Sequence, residues 1–310
     1  MSSAKWETRI ILVAQMGVGI LGNTSLFCLC NFTLFTGQKV RCTDIILSQL
    51  ALANSLVLFS KGIPHTMAAF GSKYFLNEVG CQFVFYFHRV ARGVGLSITS
   101  LLSGFQAIRL CPNFSRWMEH RMRSSKCIGF CCFLCWILHL SVNIFVPFRI
   151  TGPTHSKNLS VNTNYGYCCT LNPDRFMMLL VVVIFSTVDL TFLGLMTWAS
   201  GSMVVVLRRH KQRVQHIHSN SHSLRPSPEA RATRTILILV SSYFSTYSLS
   251  SLLSLWMALF VIPGQWVLDT SIVLSLCFPT FSPFVLICSD TRVTAKIVLF
   301  HLPGRENTFC

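Results

Sequence analysis

The stretch CIGFCCFLCWILHLSVNIFVPF, residues 127–148, runs for 22 residues without a single Asp, Glu, Lys or Arg. An α-helix rises about 1.5 Å per residue, and the hydrocarbon core of a bilayer is about 30 Å thick. A helix of this length therefore reaches from one side of the core to the other. The stretch predicts a transmembrane helix.

Six further apolar runs surround this one along the chain. Only 12% of the residues are charged and 52% are hydrophobic, whereas soluble domains carry roughly 25% charged residues. The six runs are Ile10–Phe35, Asp44–Ile63, Cys81–Leu110, Phe176–Leu207, Thr235–Ile262 and Val267–Ile287. Because no segment between them is long enough for a soluble domain, we predict an all-α membrane protein in which residues 1–310 form one bundle of seven transmembrane helices.

The basic residues indicate how the bundle is oriented. Lys and Arg number 26 against 10 Asp and Glu, a net charge of +16 that would suggest nucleic-acid binding in a soluble protein. Here 16 of the 26 follow the first, third, fifth and seventh runs. Because such residues collect in cytoplasmic loops, we predict an extracellular amino terminus, a cytoplasmic carboxyl terminus and contact with anionic lipids, with no nucleic-acid partner.

This topology sorts the cysteines and the glycosylation sequons. Most of the 14 cysteines lie inside apolar runs, and only Cys81, Cys168 and Cys169 reach the oxidising outer side. We favour a disulfide between Cys81 and Cys168, with Cys169 as the alternative partner, because sequence alone does not fix connectivity. Of four sequons, only Asn158-Leu-Ser lies in an outer loop, so Asn158 is the predicted glycosylation site.

Two motifs resemble cofactor and metal sites. GVGILG at residues 17–22 has the glycine spacing of a dinucleotide-binding loop, but it lies inside a predicted span, where small residues instead permit close helix contact. Cys127, Cys131, Cys132 and Cys135 have ligand-like spacing but lie in an apolar helix, where cysteine packs as a small hydrophobic residue. We predict no cofactor and no metal site.

Charged residues inside the predicted spans point to a functional site. Phe85, His88, Arg89 and Arg92 are spaced three or four residues apart and fall along one stripe of the third helix. Helical rise places Arg92 about 16 Å, and Asp189 of the fifth span about 20 Å, from the outer ends of their helices. Because an unpaired charge at this depth is costly, we predict an Arg92–Asp189 ion pair, with either a structural or a ligand-contacting role.

Several strings resemble the vomeronasal type-1 receptors, a family of G-protein-coupled receptors. They are LSQLALAN (47–54), HRVARG (88–93), FQAI (105–108), GLMTWASG (194–201), SPEAR (227–231) and FPTFSPFVLI (278–287). The resemblance extends from the first span to the end of the seventh. It implies a multi-pass plasma membrane receptor that detects small pheromone-like or odorant molecules and signals through an inhibitory-type heterotrimeric G protein.

A receptor needs candidate sites on both sides of the membrane. For the outer half of the bundle, depth and polarity give the predicted ligand contacts Phe85, His88, Arg89, Arg92, Tyr247, Leu252 and Trp256. For the cytoplasmic side, the predicted G-protein-facing residues are Arg109, Pro112, Arg116, Arg208, Arg209 and Arg231.

Other classes of protein fit the sequence less well. A receptor of the bitter-taste type is the nearer alternative. A small transporter or channel is more distant, because the chain shows no inverted repeat. We predict no enzymatic activity, because Asp189 is the only acid deep within a span.

Overall fold

The computed structural model describes residues 2–35, 41–72, 75–110, 124–152, 161–165, 167–171, 175–217, 228–259 and 265–289. Within these ranges the helices longer than ten residues coincide with the apolar runs. They are α1 (Ser2–Phe35), α2 (Cys42–Val57), α4 (Glu78–Leu110), α5 (Ser125–Val142), α6 (Arg175–Ile217), α7 (Pro228–Leu259) and α8 (Gln265–Ser289). A π-helical turn, Leu58–Gly62, continues α2 into the short helix α3 (Ile63–Ala69).

The helix ends differ from the apolar runs where local chemistry, not hydropathy, sets them. The fourth run extends to Phe148, but α5 ends at Val142 and a 3₁₀ turn follows at Pro147–Arg149. Pro147 has no backbone N–H to donate to the carbonyl of Asn143, four residues earlier, which favours an end to the helix inside the apolar run. In contrast, α6 continues past Leu207 to Ile217, because helical hydrogen bonds do not require apolar side chains.

Five helical segments are long and apolar enough to cross a membrane. They are Trp6–Phe32, Cys42–Ala69, Ser125–Arg149, Val183–Arg209 and Trp266–Ser289. Helix α4 is not among them, although many of its residues, including Val94, Ile98 and Ser100, are buried within the protein. A helix surrounded by other helices rather than by lipid can carry more polar side chains. The described chain is therefore a helical membrane protein, while the count of seven spans and their orientation remain predictions.

Helix α4 forms the centre of the molecule. It packs against α2, α5, α6 and α7, while α1 packs on the outside of α2 and α8. Fully buried core residues come from several helices, among them Leu50 of α2, Val94 of α4, Met196 of α6 and Leu239 of α7. This central position explains how α4 can hold charged residues away from lipid.

The glycine motif of α1 is a helix contact, as its position inside a span predicts. A Cβ atom on Gly19 would lie 2.8 Å from the side chain of Leu58, and one on Gly22 would lie 2.9 Å from Pro283. Both distances are below those of real Cβ contacts, so a larger residue at Gly19 or Gly22 would force its neighbour to shift, whereas Gly17 has no neighbouring atom within 4 Å.

A small antiparallel sheet adds to the helical fold that the sequence predicts. Strands β1 (Ile150–Thr151), β2 (Val161–Asn164) and β3 (Cys169–Leu171) are arranged in the order β1-β3-β2. A disulfide joins Cys168, immediately before β3, to Cys81 in the first turns of α4, with 5.7 Å between their Cα atoms. The favoured Cys81–Cys168 pairing is thus present, and Cys169 is a free, buried thiol.

Candidate functional site

A cavity of about 590 Å³, here called the main cavity, lies between the helices beneath the sheet. It is lined from the Leu58–Gly62 turn and α3 on one side and from α4, α6, α7 and α8 on the others. Its charged, histidine and aromatic lining residues are Lys61, His65, Phe85, His88, Arg89, Phe145, Arg149, Arg92, Tyr165, Tyr167, Phe185, Asp189 and Tyr247. Its volume lies in the range typical of small-molecule sites.

The stripe on α4 forms one wall of the main cavity. Phe85, His88, Arg89 and Arg92 all line it, because residues spaced three and four apart share one face of a helix. The guanidinium carbon of Arg89 lies 4.1 Å from the ring centroid of Phe185 in α6. Such a cation–π contact partly compensates a charge for lost hydration.

Arg92 and Asp189 meet around Tyr247. The Tyr247 hydroxyl donates a hydrogen bond to Oδ2 of Asp189 over 2.5 Å, and the guanidinium of Arg92 lies 4.8 Å from the centroid of the same ring. Tyr247 is therefore the shared contact of both charged groups. A direct Arg92–Asp189 ion pair remains a prediction.

Lys61 is a lining residue that the sequence analysis does not select. It lies near the end of the second apolar run, and from the sequence alone we counted it with the basic residues of the outer loops. The π-helical turn instead keeps the chain helical, and Lys61 lines the main cavity. The sequence feature that could have identified Lys61 is His65, four residues further on. His65 lies on the same face and also lines the cavity.

Aromatic side chains of the sheet segment form the end of the main cavity next to the sheet. The Tyr167 hydroxyl lies within hydrogen-bonding distance, 3.1 Å, of Nε2 of His65, and the Tyr165 ring lies 5.3 Å from that of Phe85. Burial raises the pKa of both tyrosines, so both hydroxyls stay protonated at neutral pH. Tyr165 and Tyr167 are here called the aromatic lid. The Cys81–Cys168 disulfide holds this lid against α4.

Comparisons with known proteins identify the family. A family model described as "Vomeronasal organ pheromone receptor family" matches residues 6–298. The chain belongs to the vomeronasal type-1 receptor family. It is similar to human vomeronasal type-1 receptor 1, with 55% identity over 95% of this chain and 83% of that receptor.

Less similar proteins also match along most of their length. Human vomeronasal type-1 receptor 4 is 46% identical over 91% of this chain and 94% of its own. Olfactory receptor class A-like protein 1 of Danio rerio is 28% identical over 93% of this chain and 91% of its own. The chain is thus a chemosensory, G-protein-coupled-type receptor of the plasma membrane. The matches do not favour the bitter-taste alternative, and a receptor family is consistent with the absence of enzymatic activity.

Two predicted ligand contacts of this vomeronasal receptor lie elsewhere. Leu252 is 63% exposed and Trp256 is 50% exposed, and neither lines the main cavity. A helix turns about 100° per residue, so these side chains point about 140° and about 180° away from Tyr247. Depth and polarity suggested them as contacts, but the rotation of α7 turns them outward.

The cytoplasmic candidates of the vomeronasal receptor occupy different positions. Arg208 and Arg209 are exposed near the end of α6. Arg109 is exposed, with its guanidinium carbon 5.8 Å from the Phe105 ring. Arg231 donates a hydrogen bond of 2.9 Å to the Cys288 carbonyl and so joins α7 to α8.

Three predicted residues, Pro112, Arg116 and Asn158, lie outside the described residues. Among the residues that are described, no cluster of three or more His, Cys, Asp or Glu side chains could hold a metal ion.

Proposed function

We propose that this vomeronasal type-1 receptor binds a small pheromone-like molecule in the main cavity and signals through an inhibitory-type heterotrimeric G protein. The observation that carries the proposal is the cavity of about 590 Å³, which combines a basic wall on α4 with an aromatic lid. Small-molecule sites have this composition, in which apolar walls provide affinity and a few polar groups fix orientation.

The charges of the lining determine the ligand chemistry that fits best. Arg89, Arg92, Arg149 and Lys61 are basic, and Asp189 is the only carboxylate among the described lining residues. That carboxylate already accepts the hydrogen bond from Tyr247. The cavity therefore favours a molecule with an apolar body and an oxygen acceptor, such as a carbonyl or an anionic group, directed at the guanidinium groups.

The proposed topology makes the main cavity accessible from outside the cell. Seven spans in one domain of residues 1–310, with an extracellular amino terminus, place the sheet and its disulfide on the oxidising side. A glycan on Asn158 fits the same side. The count of basic residues in alternate loops supports this orientation.

The proposed signalling route passes through Arg92 and α7. Arg92 also lines a second, small cavity of about 40 Å³ together with Tyr243 and Phe278. The Tyr243 hydroxyl donates to the Arg92 carbonyl over 3.4 Å, and its ring lies 4.5 Å from that of Phe278 in α8. A ligand that moves Arg92 or Tyr247 therefore shifts the packing of α7 against α8, which changes the population of states with an open inner face.

The inner face would present five arginines and one proline to the G protein. These are Arg109, Pro112, Arg116, Arg208, Arg209 and Arg231. Arg231 would act on the relative position of α7 and α8, because its hydrogen bond joins the two helices.

The proposal is tested by ligand-evoked inhibition of cyclic AMP in cells that express the receptor, with a panel of volatile and steroidal carbonyl and anionic compounds. We expect Arg92→Gln to raise the half-maximal concentration of an active compound about tenfold or more, because a charge-assisted hydrogen bond contributes about 1.5–3 kcal/mol. Leu252→Ala, on the exposed face of α7, is the matched control and should behave as the parent. Responses that persist after the inhibitory-type G protein is inactivated, or equal behaviour of the two variants, would contradict the proposal.

A further inference from the structure

Lys61 supplies the one primary amine among the described residues that line the main cavity. It lies in the π-helical turn Leu58–Gly62, a rare element that is frequent at functional sites. A Cβ atom on Gly62 would overlap the side chain of Met16 in α1, so the turn is closely packed. The backbone that carries the amine is therefore held in place.

The surroundings of Lys61 resemble those of lysines that form Schiff bases. Such lysines are characteristically desolvated in apolar pockets or placed beside another cationic group. Arg89 and Arg92 line the same cavity as Lys61, whereas the lining carboxylate of Asp189 is engaged by Tyr247. The two guanidinium groups are sufficient to donate hydrogen bonds to the oxygen acceptor of the proposed ligand. The amine of Lys61 is not needed for that role.

The main cavity also holds groups that assist addition to a carbonyl. The guanidinium groups can donate to the carbonyl oxygen and increase the electrophilicity of its carbon. His88 lies in the same lining. Its Nδ1 atom is buried and has no hydrogen-bond partner among the described residues.

We propose that Lys61 captures aldehyde ligands as a reversible imine. This inference rests on the proposed function, because it requires that the main cavity is the ligand site. The lysine nitrogen adds to the carbonyl carbon, and the carbonyl oxygen takes up a proton to give a carbinolamine. The hydroxyl group then leaves as water while the C=N bond forms, so aldehyde and amine give imine and water with no change of oxidation state.

The apolar walls favour this product. Bulk water hydrolyses simple alkyl imines, but the aromatic lid of Tyr165 and Tyr167 covers the end of the cavity next to the sheet. An alkyl chain beneath the lid holds the carbonyl near the amine, which converts a bimolecular reaction into an intramolecular one. Aldehydes would consequently remain bound longer than alcohols with the same chain.

The test uses the full-length receptor in membranes, incubated with octanal and sodium cyanoborohydride, which reduces an imine to a stable secondary amine. Peptide mass spectrometry then measures octylation of each lysine. We expect Lys61 to be modified at least tenfold faster than Lys126, an exposed lysine at the start of α5 that lies outside the cavity. Equal rates at the two lysines would overturn the proposal, and this comparison needs no variant to fold.

A second arm uses Lys61→Arg, which keeps the positive charge but forms no stable imine. In the parent receptor, an octanal response should become irreversible after reduction, while the response to octan-1-ol should not. In Lys61→Arg, matched for surface expression, reduction should no longer prolong the octanal response. If reduction has the same effect in both proteins, the imine is excluded.

The two proposals fail separately. A receptor whose ligand responses depend on Arg92 but whose Lys61 is not modified retains the proposed function and loses the imine. A receptor without any ligand-evoked G-protein signal loses the proposed function, whether or not Lys61 is modified.

Discussion

Two glycines in α4 differ in what surrounds them, although they are two residues apart. A Cβ atom on Gly93 would overlap the imidazole of His139 in α5, whereas nothing lies within 4 Å of such an atom on Gly95. His139 is itself buried, and its ring centroid lies 6.0 Å from that of Phe192 in α6. Gly93 therefore permits the close contact of three helices beside Arg92.

We predict that Gly93→Ala destabilises the receptor by about 1–3 kcal/mol, the usual cost of overpacking a filled core. Gly95→Ala is the matched control and should be neutral or slightly stabilising, because alanine favours a helix more than glycine does. Thermal unfolding of the detergent-solubilised protein measures both. The double variant Gly93→Ala, His139→Ala should lose less stability than the two single changes together, and strict additivity would contradict a direct contact.

At the residue scale the sequence predicted the α4 stripe and missed other lining residues. The four stripe residues were identified because one helix face follows from spacing alone. Lys61 lies within the second apolar run and was missed, since hydropathy cannot show which side chains of a π-helical turn line a cavity. Leu252 and Trp256 do not line the main cavity, because the rotation of α7 about its own axis is set by packing.

At the scale of elements, α1 compensates for a break in the hydrogen bonds of α8. Pro283 lacks a backbone N–H, so the carbonyl of Pro279 has no helical partner four residues on. Nδ2 of Asn23 donates to this carbonyl over 2.8 Å. The two prolines therefore lie in a continuous helix that α1 supports from the side.

We predict that Asn23→Ala destabilises the receptor by about 1–3 kcal/mol, because it leaves a buried carbonyl unsatisfied. Asn31→Ala is the control in the same helix, since the amide of Asn31 donates only to the Phe27 carbonyl one turn earlier in α1. The melting temperature in detergent provides the measurement. In a Pro283→Ala background, which restores the missing N–H, the cost of Asn23→Ala should shrink, and an unchanged cost would show that the carbonyl is not the cause.

Backbone hydrogen bonding also explains which helix boundaries could not be predicted from hydropathy. Hydropathy located the helices because a membrane core selects apolar side chains along a fixed length. It did not locate the end of α5 before Pro147 or the extension of α6 to Ile217. Backbone hydrogen bonding sets those ends, and it depends weakly on hydropathy.

At the scale of the whole molecule, one disulfide connects the sheet to the helical bundle. Cys81 and Cys168 are 87 residues apart in sequence, and Tyr167 beside Cys168 also reaches His65 of α3. The sheet segment is therefore fixed to two helices, and the aromatic lid of the main cavity depends on both connections.

We predict that Cys168→Ser lowers stability by about 2–4 kcal/mol and reduces surface expression and ligand response, because it releases a long closed loop. Cys169→Ser is the adjacent control and should retain all three, since Cys169 is a free thiol. Surface immunolabelling and thermal unfolding measure the difference. Greater damage from Cys169→Ser than from Cys168→Ser would show that the other pairing forms in the cell.

The sequence by itself determined that this protein is a helical membrane protein, approximately where its helices lie, and which residues share the stripe on α4. These features depend on side-chain hydropathy and on the fixed geometry of a single helix. Only the tertiary structure decided which residues meet across helices, including Lys61 in the main cavity, Tyr247 between Arg92 and Asp189, and Asn23 at Pro279. Such contacts depend on how each helix is rotated and where it is interrupted, and packing among all the helices sets both.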